Sequence, residues 1–376
     1  MGRNRGLIGT TGAIFLVCMM STLSFAESNW DFDIQGSLME QYDDNITEVN
    51  SNEIDDFITR ANIGLGLNNE GKTYSLELGA SITQEIFAEN DQFNNNSQEV
   101  NLNLNKQFSD KDRIQVTDRF RNSESIEDFE DAFGRQSGRF SAIRNNVDAF
   151  YTREFTPKFS SILHYGNEVY ETDDSTRDDS LLQKYGLELQ YKHSSKTIFL
   201  AGYEYSEIEF DPGADANVQK MFGGIRYYLK DTMYIEGRAG NSKVDSFTGA
   251  DSNEPHYQVT FSNIIDDLTQ FTLTYLNETA TNSYTEDVFE SWRINANLRR
   301  QLSERLNAAL SLFYGEAEFQ TLNIGDDTAG ASAWLGYDLT EDLKVFCSYS
   351  LYDKDSNVVT RDYKKNLVTL GLTFDF

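Results

Sequence analysis

The chain has 376 residues, a formal net charge of −29, 26 Phe, 20 Tyr and only 3 Pro. The acidic excess argues against a nucleic-acid partner, because nucleic acids are also negatively charged. Once a predicted leader is removed, Cys347 is the only cysteine, which excludes an internal disulfide and a cysteine metal site.

The first 26 residues have the pattern of a secretory signal peptide. Arginines precede an apolar run, Leu7–Met20, and Ser24-Phe25-Ala26 supplies a small-x-small cleavage site. Lipoprotein modification at Cys18 is rejected because the residue before it is not small. We expect residues 1–26 to be removed and residues 27–376 to form a single domain.

From Trp30 onward, apolar residues recur at every second position in short runs. This period predicts β-strands with one apolar face, and we count 18 such runs. An even number places both termini on the periplasmic side of a single-chain barrel. Short turns such as Lys230–Asp231 alternate with long connections such as Asp43–Ile54 and Asn122–Arg144, which is typical of a membrane barrel.

The chain ends in a strand, NLVTLGLTFDF, whose apolar face runs from Val368 to Phe376. Thr369, Gly371, Phe374 and Phe376 resemble the C-terminal assembly signal of bacterial outer-membrane barrels. The alternative is the closing strand of a soluble β-sandwich. Together with the alternation, the stretch favours an all-β, antiparallel, up-and-down transmembrane β-barrel in the outer membrane.

Aromatic residues at the apolar strand ends predict two girdles at the membrane interfaces. The periplasmic girdle comprises Trp30, Phe32, Phe155, Phe159, Tyr191, Tyr227, Phe374 and Phe376, and the outer girdle comprises Tyr42, Phe57, Tyr205, Tyr257, Tyr275, Tyr314 and Tyr349. Asp118 fits badly, because it falls on the apolar face. It either lies near the outer rim or marks a slip in our register.

The first hairpin carries a recognisable motif. Tyr42-Asp43-Asp44-Asn45-Ile46, followed by Asp56-Phe57-Ile58-Thr59-Arg60 and a Gly-Leu repeat, resembles an outer-membrane β-barrel porin family often associated with exopolysaccharide export. The resemblance implies a link to polysaccharide; the barrel prediction does not depend on it.

Catalytic chemistry is not indicated. The three histidines, His164, His193 and His256, are far apart in the sequence, so a metal cluster or a Ser-His pair is not expected. No phosphate-binding loop and no nucleophile elbow is found. We predict neither enzymatic activity nor a metal or cofactor.

The inward positions are rich in charge. The candidate pore-lining residues are Arg60, Arg119, Arg226, Arg238, Arg293, Arg299, Glu77, Glu188 and Glu236. They either pair across strands and stiffen the wall or select solutes by charge. Inward aromatic residues either stack on sugar rings or fill space; these are Phe222, Tyr228, Phe313, Trp334 and Phe346.

The nine long connections hold 31 acidic and 7 basic residues. This excess makes either a solvated, repulsive surface or a set of sites where divalent cations bridge to lipopolysaccharide phosphates, with Asp173, Asp174, Asp178 and Asp179 as the candidate cluster. The expected partners are outer-membrane lipid, lipopolysaccharide and the barrel-assembly machinery.

The function that the sequence favours is a porin-like channel for passive diffusion of small hydrophilic solutes. A component of exopolysaccharide export or biosynthesis, and a non-conducting structural barrel, are the alternatives. If Asn122–Arg144 folds inward, it would constrict the lumen.

Deleting Phe376, or replacing it with Ser, should block assembly because the terminal aromatic of the assembly signal is lost. The measurement is sucrose-gradient fractionation with a heat-modifiability gel. Normal outer-membrane yield of the variant would contradict the assignment.

Overall fold

The computed structural model describes residues 29–124, 139–175, 177–211, 213, 215–246, 252–282, 285–319 and 323–376. The predicted signal peptide and residues 125–138 of the Asn122–Arg144 connection lie outside these ranges. Among the described residues, no helix is long and apolar enough to cross a membrane.

The described residues form 18 strands in one antiparallel sheet, and β1 pairs with both β2 and β18, so the sheet closes into a barrel. The predicted fold class and strand number are confirmed. The strands are β1 Asn29–Asp43, β2 Asp56–Gly71, β3 Tyr74–Phe87, β4 Asn95–Ser109, β5 Asp112–Ser123, β6 Ala142–Thr156, β7 Phe159–Thr172, β8 Asp179–Lys192, β9 Thr197–Asp211, β10 Ala216–Lys230, β11 Met233–Ser246, β12 Ser252–Asp266, β13 Thr269–Asn282, β14 Thr285–Gln301, β15 Leu306–Phe319, β16 Ile324–Asp338, β17 Leu343–Ser356 and β18 Tyr363–Asp375.

The strands are longer than the apolar alternation predicted. They have 12 to 17 residues, whereas about 9–11 tilted residues span a bilayer. The extra residues lie mostly at the outer strand ends, where the outward face is polar and the inward face carries buried apolar residues such as Ile58, Phe87 and Val244, so the alternation changes faces. Pro255, which by its missing N–H would be expected between strands, therefore lies within β12, opposite Asn241.

The outward face is apolar, as the alternation predicted, and most of it is exposed; on β3–β5 four of its residues form a buried cluster, Leu76, Leu102, Leu104 and Val116. Ile63, Met221 and Leu370 are 58–63% exposed, a surface that lipid rather than water would cover. Aromatic residues occur at both ends of this band, for example Phe32 and Tyr191 at the periplasmic end and Phe57 and Tyr349 at the outer end.

The seam between β1 and β18 closes the barrel. Nine residue pairs join Gln35–Asp43 to β18, and Phe376 extends the ladder by exchanging two 2.9 Å backbone hydrogen bonds with Ile34. The Phe374 ring covers Gly36, where a methyl group would overlap it. The terminal aromatic residues therefore belong to the seam itself.

Asp118 lies on the outward face between Leu102 and Val147, in regular register. Its carboxylate accepts a 2.7 Å hydrogen bond from the Asn145 side chain. The register slip is thus excluded, and Asp118 is a charged group on the lipid-facing surface.

Replacing Asp118 with Val should raise the free energy of unfolding by about 1–2 kcal/mol, because an acid on the lipid face is costly. The measurement is guanidinium unfolding in lipid vesicles. Asp148→Val is the matched control: Asp148 points inward and bonds His164 at 2.8 Å, so its loss should not stabilise. No gain from Asp118→Val would show that the carboxylate is solvated.

Candidate functional site: the lumen wall

The nine predicted pore-lining residues all lie on the inward face, as strand parity and register place them. Most are held by a partner. Arg60 contacts Glu85 at 2.7 Å and Arg119 contacts Glu99 at 3.1 Å, while Glu77 accepts a 3.2 Å hydrogen bond from Asn103. Arg299 is exposed and forms no ion pair within the described ranges.

A charge network covers the inner face of β8–β11. Glu236 pairs with both Arg226 and Arg238, and Arg238 reaches Glu188 at 2.9 Å. That last pair joins β11 to β8 across two intervening strands. It is possible because Gly224, opposite Arg238, has no side chain and the arginine lies over it.

A second network covers β2–β6 near the outer end. Glu85, only 4% exposed at its side chain, pairs with Arg60 and, at 3.1 Å, with Arg139. Arg139 precedes β6, yet its guanidinium also lies 4.8 Å from the Phe87 ring centroid. The end of the β5–β6 connection is therefore anchored against the inner wall of β3.

The inner faces of β10 and β13 approach each other across the two strands between them. Lys220 on β10 contacts Glu278 on β13 at 2.7 Å, and Arg293 approaches the same carboxylate at 3.8 Å. His256 on β12 and Ser242 on β11 are buried beside these side chains, at 7% and 0% exposed. This corner of the lumen is filled by charged side chains that neutralise one another.

Glu85 and Glu278, which are central to these networks, are not among the pore-lining residues predicted from the sequence. Both lie just beyond the predicted strand ends. Extending the alternation of β3 and β13 by a few residues would have placed both on the inward face.

Beyond the outer girdle, buried ion pairs tie connections to the strands. Lys365 contacts Asp43 at 3.0 Å and Glu48 at 3.3 Å, and Asp326 pairs with Lys354 and Arg361. Burial disfavours the charged form of Asp326, but Arg361 and Lys354 outweigh it and hold the pKa of Asp326 below its ordinary value of 3.8. This contribution to stability is present above about pH 4 and fades as the pH falls.

Three of the four carboxylates of the acidic cluster near β7 and β8, the candidate divalent-cation site, contact other residues of the same loops. Asp173 accepts the Ser141 backbone N–H, Asp174 pairs with Arg177, and Asp179 accepts the Thr172 N–H. In the part of the chain that the structure describes, no group of three His, Cys, Asp or Glu side chains is arranged to hold a metal ion.

The wall formed by β13–β18 differs from the charged wall. Ten of its inward positions carry hydroxyl or amide side chains: Thr272, Thr274, Asn295, Asn297, Ser311, Ser332, Ser348, Ser350, Thr369 and Thr373. Three inward aromatic residues each cover a glycine, so their rings lie along the wall: Phe313 over Gly330, Trp334 over Gly336 and Phe346 over Gly371.

One cavity borders each of these two walls. One of about 680 Å³ is lined on the β1–β6 side by Asp33, Glu77, Arg119 and Asp148 among others. The other, about 550 Å³, lies near the periplasmic end of β12–β16 and includes Trp334.

Comparison with solved structures supports the fold. The chain is similar to the ferric enterobactin receptor PfeA from Pseudomonas aeruginosa, with a TM-score of 0.50 and 8% identity over 92% of this chain and 80% of that chain. It is also similar to the siderophore receptor PirA from Acinetobacter baumannii, with a TM-score of 0.50 and 7% identity over 93% and 81% of the two chains. The outer membrane protein opdK from P. aeruginosa has a TM-score of 0.48 and 9% identity, over 92% and 98%.

No curated protein matches the chain. A family model described as "Putative beta-barrel porin 2" matches residues 268–376, which contain β13–β18. The motif of the first hairpin lies outside this stretch, and the match does not extend to exopolysaccharide export. The match confirms the resemblance to a β-barrel porin family, and the fold of the chain is that of an outer-membrane β-barrel.

Proposed function

We propose that this protein is an outer-membrane channel through which small hydrophilic solutes diffuse passively. The observation that carries the proposal is a closed ring of 18 strands with a polar inward face. Barrels of 16–18 strands are wide enough to leave an aqueous lumen. Polar side chains at membrane depth are tolerated when they face water or one another, as they do on this wall.

The outward face supports a location in the outer membrane. Its apolar band and aromatic ends suit a bilayer, and the terminal strand carries the features that the barrel-assembly machinery would recognise. Lipid and lipopolysaccharide would then contact the apolar band and the acidic outer connections. We propose no enzymatic role, because the wall residues serve one another as ion-pair partners rather than forming a nucleophile with its base.

Purified protein in planar bilayers should show stable current steps, because the proposed lumen contains water. The matched control is the Phe376-deleted chain, which should not insert. A correctly folded barrel, verified by heat modifiability, that gives no current would contradict the channel and favour a structural role.

Arg299→Gln should raise the ratio of cation to anion permeability at 0.1 M salt by roughly two- to five-fold. The reason is that a unit charge at about 4 Å in water is worth about 1 kcal/mol. At about 1 M salt, where screening acts within roughly 3 Å, the difference should fade. The measurement is the reversal potential in a KCl gradient.

Arg238→Gln is the control for that experiment. Arg238 is bound by Glu188 and Glu236, so its replacement should lower stability by roughly 1–3 kcal/mol, because Glu188 loses its ion pair while Glu236 keeps only Arg226. Unchanged selectivity in Arg299→Gln, together with a loss of stability, would show that Arg299 is also a wall brace.

A further inference from the structure

The cavity near the periplasmic end is bordered by polar groups around one indole. Its inward lining includes Trp334, Gln270, Gln301, Asn307 and Arg299, and we call this set the tryptophan niche. From its geometry we propose that the tryptophan niche binds a neutral saccharide. The inference deepens the proposed channel function by naming a class of solute for the same lumen.

The indole is positioned for stacking. Trp334 extends over Gly336, where a methyl group would overlap the ring, so the indole lies along the wall and remains partly exposed. Phe346 lies beside it with ring centroids 6.3 Å apart and planes 28° apart. Two nearly parallel rings along a wall offer an apolar face to a flat ligand such as a pyranose ring.

The polar groups suit hydroxyl ligands. Each amide of Gln270, Gln301 and Asn307 carries both donors and acceptors. A sugar hydroxyl does so too, whereas a carboxylate only accepts and a guanidinium only donates. Ser311 and Asn297, bonded to each other at 2.8 Å, continue the same chemistry along β14 and β15.

The charge balance favours a neutral ligand. The charged residues bordering the cavity are Arg299 on the inward face, Arg300 at an outward position of β14, and Asp266 and Asp267 at the β12–β13 turn. The cavity on the β1–β6 side has three inward acids, Asp33, Glu77 and Asp148, against one arginine. An uncharged solute therefore loses least by entering the tryptophan niche.

The niche contains a built-in probe. The chain has three tryptophans, and Trp30 and Trp292 lie on the outward face, paired with Asn69, Asn277 and Glu316 on neighbouring strands. In a Trp30→Phe/Trp292→Phe background, emission reports Trp334 alone. Maltotriose added to this protein in detergent should cause a saturable emission change with a Kd of about 1–10 mM, the range for about 3–4 kcal/mol of binding free energy.

Matched variants separate stacking from wall filling. Phe346→Ala and Gln301→Leu should each weaken maltotriose binding at least five-fold. Phe222→Ala should leave it unchanged: Phe222 also covers a glycine, Gly202, but belongs to the charged wall, 5.0 Å from the Arg238 guanidinium.

Three results would overturn the proposal: no saturable change up to 100 mM maltotriose, equal weakening by Phe222→Ala, or tighter binding of trigalacturonate, which would make the niche an anion site. Binding in detergent needs no conduction. Saccharide binding with no bilayer current would contradict the proposed channel function and support the saccharide site. Bilayer current without saccharide binding would support the channel and contradict the saccharide site.

Discussion

The hydrogen-bonded pairing of β1 with β18 is the constraint on which the rest of this structure depends. In lipid, an open sheet edge would leave a row of N–H and C=O groups without partners, so only a closed sheet is stable. Closure relies on nine residue pairs and on the two bonds between Phe376 and Ile34. Because Phe376 contributes to the seam, closure of the ring depends on the pairing of β18 with β1 as far as Phe376.

Closure divides the side chains into two populations. Outward residues need only be apolar across the membrane band. Apart from Asp118 with Asn145, their polar pairs lie towards the two ends of the strands, as Thr59 with Glu40 and Tyr151 with Asp112 do. Inward residues must satisfy one another or water at membrane depth. On β2–β11 they do so through ion pairs, whereas on β13–β18 they do so mostly with hydroxyls, amides and aromatic rings over glycines.

Glycine makes both inner surfaces possible. Where a strand presents no side chain, a long neighbour can lie flat, as Arg238 does over Gly224 and Phe313 over Gly330. Flat side chains narrow the lumen less than projecting ones do. They also hold their charge or ring face at a defined place, which a binding wall requires.

The sequence alone determined a large part of this protein. Period two is a local property of the strand, so the parity of Arg60, Glu77 or Glu236 followed once the strands were recognised. The strand number, the set of inward residues and the outward position of Phe374 and Phe376 were predictable for the same reason. The apolar band showed which part of each strand crosses the membrane.

Only the tertiary structure decided which inward groups meet. Arg238 with Glu188 and Lys220 with Glu278 join strands that are not neighbours, and Arg139 with Glu85 joins the end of the β5–β6 connection to β3. Those contacts depend on how sharply the sheet coils and on which neighbours are glycines. The outer strand ends, with Pro255 in β12, also escaped prediction. Beyond the membrane band the outward face meets water and the inward face carries buried apolar side chains such as Val218 and Val244, so the alternation that marks each strand changes faces.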